Sequence, residues 1–253
     1  MRINRDTVLV GRMTVLVPYR KQHVPRYHEW MKDPLIQEQT ASEPLSLEEE
    51  YEMQQSWAVD EDKLTFIILA RPDEDVRGTR SAVGVDEFLS ECKMVGDVNI
   101  FFNQRHEEDE DEDNAEEQSS VKDAVFDAEC EIMIAEHSYR RKGIAREALE
   151  MMFAFVTSDP TPVAAPLDNF STASVPASTD TAHCSLPIPS DWLTCKISLS
   201  NAPSIKLFES LGFTRQKVSE VWQEVEMRFT DRDPARFDQY RKSIERVLFW
   251  PDD

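Results

Sequence analysis

Glycine is scarce in this chain, six residues in 253, so places where the backbone must turn tightly or approach a neighbour closely are few and each one is informative. The four cysteines, Cys92, Cys130, Cys184 and Cys195, are scattered without a C-x-x-C pair. That spacing supports neither a disulfide framework nor a zinc site, and reduced thiols of the cytoplasm, or of the nucleus, are the expectation. A long apolar run is also missing. The amino-terminal MRINRDTVLVGRMTVLV is broken by Asn4, Arg5, Asp6, Gly11 and Arg12, too often for a signal peptide or a membrane span. Cations are outnumbered, 28 Lys and Arg against 49 Asp and Glu, for a net charge of −21. Such a surface repels a phosphate backbone, which argues against nucleic acid, and attracts basic substrates or basic protein surfaces. Part of the charge is local. Glu107–Glu117 (EEDEDEDNAEE) holds nine carboxylates, which leaves about −12 on the remainder; the run reads as a solvated loop.

What is present is an alternation of strands and helices. Thr14–Val17, Leu64–Ala70, Met94–Phe102, Asp127–Ala135, Trp192–Leu199 and Val221–Phe229 read as strands, being short and rich in β-branched or aromatic residues. Helices are expected at His23–Lys32, after the capping-box pattern Ser46-Leu-Glu-Glu49, at Ala145–Val156 and at Pro203–Leu211. Pro234–Phe249 reads as an amphipathic helix that packs on the outside or frays. Ser158–Ser190, rich in Pro, Ser, Thr and Ala and without Gly, reads as an inserted loop. A mixed sheet flanked by helices, an α/β fold of the α+β kind, satisfies this order. One domain over 1–230, with insertions at about 103–123 and 158–190 and a helical tail over 231–253, accommodates it.

The segment that carries chemistry is Glu129–Val156 (ECEIMIAEHSYRRKGIAREALEMMFAFV). A strand passes through a turn holding Arg140, Arg141, Lys142 and Gly143 directly into a helix whose apolar residues Ala145, Ala148, Leu149, Met152, Phe153 and Val156 fall on one face. The amides at the start of that helix and its positive dipole end make an anion site, and Gly143 lets the backbone approach a phosphate closely. The bland alternative is a turn glycine beside a solvated basic corner. A second motif is Asn201-Ala-Pro-Ser-Ile-Lys-Leu-Phe-Glu-Ser-Leu-Gly-Phe213, in which Asn201 is a good N-cap, Pro203 suits a first turn and Gly212 closes the helix.

Taken together, Arg140-x-x-Gly143-x-Ala145 after a strand, followed by NxxSIxLFExLGF, resembles the GNAT superfamily of N-acetyltransferases from Thr14 to about Phe229. TASEPLSLEEEYEMQQSW, KLTFIIL, MVGDVNIF and EIMIAE are similar to its eukaryotic N-acetyltransferase-nine-like branch. The resemblance implies a mostly antiparallel sheet with a splayed strand pair at the cofactor. It implies acetyl-CoA as co-substrate and no metal. Arg140, Arg141, Lys142, Gly143, Ile144 and Ala145 would hold its pyrophosphate, the backbone of Met133 and Ile134 would bond the pantetheine, and Asn201, Ser204 and Phe208 would lie near the pantetheine and thiol. It implies direct attack of an amine on the thioester, which needs a base, donors for the oxyanion and an acid for the thiolate.

Glu131 is the leading candidate for the base. Glu129 lies two residues away on the same strand face, and the plain alternative for both is an exposed strand carboxylate. Glu136, at the strand's end, reads as structural, and His106, His137 and His183 as surface residues. Many relatives carry Tyr where this chain has Phe208, which cannot give a proton. The acceptor the resemblance implies is a protein amine, an N-terminal α-amine such as tubulin's or a lysine, met by a monomer or weak dimer. A catalytically weak protein of the same fold that binds the cytoskeleton or another partner, and a small-amine acetyltransferase, remain open beside it.

Overall fold

The strands of this chain earn their places by burial. β1 (Thr7–Val10), β2 (Thr14–Pro18) and β3 (Lys63–Ala70) are almost wholly buried along their length. These near-continuous apolar runs belong to a sheet covered on both faces. β4 (Lys93–Gln104), β5 (Phe126–Ile134), β6 (Leu193–Ser198), β7 (Phe213–Ser219), β8 (Glu224–Phe229) and β9 (Arg246–Phe249) complete it. The computed structural model describes residues 2–40, 42–72, 84–104, 126–157 and 186–251. The acidic run and most of the 158–190 insertion, with His106 and His183, lie outside the described residues.

The sheet runs β7-β8-β6-β5-β4-β3-β2-β1-β9. Every neighbouring pair is antiparallel except β5 and β6. A parallel pair needs a crossover, and the helix α5 (Ile144–Thr157) lies in that connection. The β5·β6 pairing is short, Ala128 opposite Leu193 and Glu129 opposite Thr194, whereas β5 stays paired with β4 as far as Ile134. Beyond Glu129 the two parallel strands therefore part, as the resemblance implied.

On one face α5, α6 (Ala202–Ser210) and α7 (Pro234–Ser243) bury a core that includes Phe66, Phe153, Phe213, Phe229 and Tyr240. On the other, α1 (Val24–Met31), α2 (Pro34–Gln39), α3 (Leu47–Val59) and α4 (Val85–Ser90) cover Val15, Val17, Ile67 and Leu69. α3 starts on the expected capping box, Ser46 Oγ accepting from the Glu49 amide and Glu49 accepting from the Ser46 amide. The short helices α2 and α4, and strands β1 and β7, were not expected from the pattern. The strand expected from Val221 starts only at Glu224, because Val221 and Trp222 sit in the turn before it, 85% and 76% exposed.

The carboxyl-terminal segment corrects the expectation of a peripheral helix. Only Pro234–Ser243 is helical, and β9 then pairs with β1 at the sheet edge. Tyr240 is fully buried, its hydroxyl donating to the Leu211 carbonyl at 2.5 Å. Trp250 donates from its indole to Asp86 at 2.8 Å, and the Arg20 guanidinium stacks on its ring at 3.8 Å. One buried tyrosine and a β-branched pair in 16 polar-rich residues give little periodic signal, so tertiary packing decided this region.

Candidate active site

The end of β5, where its parallel neighbour leaves, runs through a short turn into α5. Arg141 and Gly143 both adopt positive φ, 61° and 89°. Gly143 needs that freedom, and a Cβ there would also stand 3.2 Å from Met13 Cε. Its carbonyl accepts from the Glu147 amide at 3.0 Å, so Gly143 caps α5, and the amides of the next residues, Ile144 and Ala145 among them, have no acceptor one turn earlier. Glu147, buried on the first turn, accepts from the amides of Arg12 and Met13 at 2.9 Å each. That contact pins the β1–β2 turn beside the start of α5.

The basic residues of the turn divide by role. Arg140 folds back, its Nε donating to the Ile134 carbonyl at 2.7 Å, and so braces the turn against the end of β5. Arg141 and Lys142 are exposed, and the Lys142 ammonium lies 5.0 Å from the centre of the Tyr139 ring. The backbone of Ile134, expected to face the pantetheine, thus already serves Arg140 with one lone pair of its carbonyl. Met133 is buried against the helices of the α1 face. Asn201 caps α6, accepting from the Ser204 amide at 3.3 Å. Phe208 is 2% exposed and meets Phe213 edge to face, so this side chain lies in the core and offers no proton.

The strand carboxylates are likewise distinguished. Glu129 forms an ion pair with Lys196 of β6 at 2.9 Å, across the last paired position. Glu131, one step into the split, has no such cation in contact among the described residues. Burial first, then the charges of Glu129 and Asp97, raise its carboxyl to about 7, with Lys196 opposing. Water still reaches it, for the residue is exposed to solvent. Together these describe a carboxyl crowded by protein on the strand face yet still open to solvent. Glu136 receives the Trp30 indole at 2.9 Å and pairs with Arg26, tying α1 to the end of β5 in the structural role expected of it.

Sequence reasoning missed Asp97 and Asn99, buried on β4 on the face they share with Glu131. The signal was present as two polar residues two apart in the otherwise apolar stretch Met94–Phe102.

A glycine-capped helix start directly after β5, with free amides of the kind that suits an anion, and a perturbed carboxyl on that strand are compatible with a group transfer that uses a phosphate-bearing donor. Comparison with known proteins places the chain in a family. The family model described as acetyltransferase (GNAT) domain matches residues 14–214. An N-acetyltransferase 9-like protein of Nematostella vectensis is 38% identical over 90% of this chain and 88% of its own length. The human alpha/beta-tubulin-N-acetyltransferase 9 is 37% identical over 91% and 86%. Among solved structures, the spermidine N-acetyltransferase of Vibrio cholerae, crystallised with CoA and spermine, matches with a TM-score of 0.51 at 14% identity, over 85% of this chain and 94% of that one. With split strands, glycine-capped helix and relatives in agreement, the chain belongs to the GNAT family of N-acetyltransferases.

Proposed function

We propose that the protein moves the acetyl group of acetyl-CoA to an amine of a protein substrate by direct attack, and that the N-terminal α-amine of tubulin is the acceptor to test first. The observation that carries this reading is the parting of β5 from β6 beyond Glu129 and Thr194, in line with the glycine-capped start of α5.

The residues fit the cofactor. Gly143 holds a positive φ at the point where a diphosphate would meet the helix start, and the exposed Arg141 and Lys142 add positive charge there. When bound, acetyl-CoA supplies an activated thioester carbonyl. The chain's own part is to position and to move a proton. The first amides of α5 fix the diphosphate, and the strand edge freed from β6 offers backbone groups to the pantetheine arm. Glu131, with its carboxyl near neutrality, takes the proton of the incoming ammonium, directly or through water. Glu129 remains tied to Lys196 and holds the strands together where the split begins. Phe208 takes no part in proton transfer, so departure of the thiol relies on water or on its low basicity.

The acceptor is suggested by relatives named alpha/beta-tubulin-N-acetyltransferase 9 in human, mouse and Drosophila melanogaster. An acidic enzyme facing a cationic amine suits it. The test is release of CoA thiol with peptides carrying tubulin amino termini, followed by mass spectrometry of the modified amine. Acetylation of lysines with the α-amine untouched would reassign the acceptor. Absence of transfer to any amine, with acetyl-CoA still raising the melting temperature, would replace the enzyme by a binding protein of the same fold.

A further inference from the structure

Beneath α1 and α3 the sheet turns polar where the rest of that face is apolar. Asp97 and Asn99 alternate on β4 and stand opposite Met133 and Glu131 of β5, so all four share one face. Tyr19, Tyr27 and Glu50 close over them. Their proximity is visible in Tyr27, whose phenol is pushed up by burial and then by Asp97, Tyr19, Glu50 and Glu131 together. Asp97, Glu50 and Tyr19 are each 2% exposed and Asn99 is 6% exposed.

Their hydrogen bonding is incomplete. Asn99 Nδ2 donates to Asp97 Oδ2 at 2.8 Å and the Tyr27 phenol also supports the Asp97 carboxylate, but among the described residues Asp97 Oδ1, Asn99 Oδ1, Glu50 Oε2 and Tyr19 OH find no hydrogen-bond partner in reach. Each such buried atom costs on the order of 1–3 kcal/mol, so four of them together call for a ligand or a reason. Three are acceptors only. No Lys or Arg among the described residues pairs with Asp97 or Glu50, and His28 Nδ1 stands 4.0 Å from Glu50 Oε1. No group of three His, Cys, Asp or Glu among the described residues is arranged to hold a metal ion. Acceptors in excess, negative charge and no cation among the described residues form the complement of a positively charged group with several N–H donors.

We propose that Asp97, Glu50, Asn99 and Tyr19 form a recognition pocket for such a group on the acceptor, an ammonium or guanidinium. It rests on the acetyltransferase reading above and deepens it by naming what the acceptor must carry. Asn99 lies directly opposite Glu131, so an occupant of the pocket holds the acceptor beside the base. Two sources of that chemistry exist, the reacting ammonium itself and a basic side chain next to it.

The test uses the full chain with CoA present and peptides labelled at their carboxyl ends, read by fluorescence anisotropy. One peptide has a free amino terminus followed by arginine, a second has norleucine in that place, and a third is the arginine peptide already acetylated at its amino terminus. Asp97→Asn and Glu50→Gln preserve shape, and they lie on different elements, so either can carry the test if the other fails to fold. With a basic side chain as occupant, the variants bind the first peptide about tenfold more weakly, one charge-assisted hydrogen bond's worth, and the second as the unaltered protein does. With the reacting ammonium as occupant, they weaken the first two alike and spare the third. Equal affinity of variants and unaltered protein for all three peptides overturns the proposal, as does failure of the unaltered protein to bind any of them. Binding is scored without turnover, so a chain that binds peptide yet transfers no acetyl group sinks the enzyme reading and leaves the pocket standing.

Discussion

A carboxylate that must accept a proton is useful only while ionised. Glu131 is raised to about 7, by burial first and by Glu129 and Asp97 after it, so kcat/KM should climb as pH rises through about 7. The acceptor's own α-amine adds a second rise near 8. Glu131→Gln should remove the lower limb, keep the upper, and reduce kcat by roughly 10²–10⁴-fold, with acetyl-CoA still raising the melting temperature. A pH–rate profile of variant and parent that superimpose after scaling would exclude Glu131 as base. Asp97 allows a stability prediction with a definite sign. Its folded pKa lies near 6, above the ordinary 3.8, through burial opposed by Asn99 and Tyr27. Folding therefore favours its protonated form. The stability is fully present below pH 4 and is lost as pH rises through about 6, by about 3 kcal/mol at one unit per 1.36 kcal/mol. Asp97→Asn, which cannot ionise, should melt higher than the parent at pH 8 and equal it near pH 4 by circular dichroism. Stability given up at one buried carboxyl is the pattern of a functional site.

At the scale of elements the site depends on two glycines. Gly143, at φ 89°, caps α5. Gly143→Ala forces an L residue into the left-handed region and should cost about 1–2 kcal/mol, while also shrinking the thermal shift given by acetyl-CoA. An undiminished shift would show that the diphosphate does not sit at this turn. Gly96 lies where β4 has an extra residue relative to β3, between the pairs Ile68–Gly96 and Leu69–Met94. A Cβ on it would fall 1.9 Å from the Met133 carbonyl oxygen, so any larger residue must force β4 from β5. This scale also divides what the sequence told from what it withheld. The turn Arg140–Gly143, the helix after it and the Asn201 cap were legible, because local chemistry, a glycine, a cap and a periodic apolar face, places them. The division of labour within the turn was not, since Arg140 bracing Ile134 depends on where β5 ends. The polar face of β4 was written in Asp97 and Asn99, but their partners Tyr19, Tyr27 and Glu50 come from elements far apart in sequence. No local pattern could join them.

For the whole molecule the question is what closes the edge of the sheet. A helical tail that frays would be dispensable, whereas β9 pairs with β1 from Thr7 opposite Phe249 to Val10 opposite Arg246. Without it β1 would become an exposed edge, its row of amides and carbonyls open to pairing with another chain. Removal of the segment also uncovers the core that Tyr240 seals against Phe153 and Phe237 against Phe229, and strips Arg20 of its stacking on Trp250. Loss of one buried aromatic side chain alone costs about 3–5 kcal/mol. At roughly 2–4 °C per kcal/mol for a domain of this size, deleting residues 232–253 should lower the melting temperature by about 10 °C or more, or leave the chain aggregated. Tyr240→Phe, which keeps the ring and removes only the bond to Leu211, should cost about 1 kcal/mol and stay soluble. The two together separate packing from hydrogen bonding. A shortened chain that melts within a degree or two of the full one, measured at equal concentration, would restore the dispensable tail and detach it from the acetyltransferase fold.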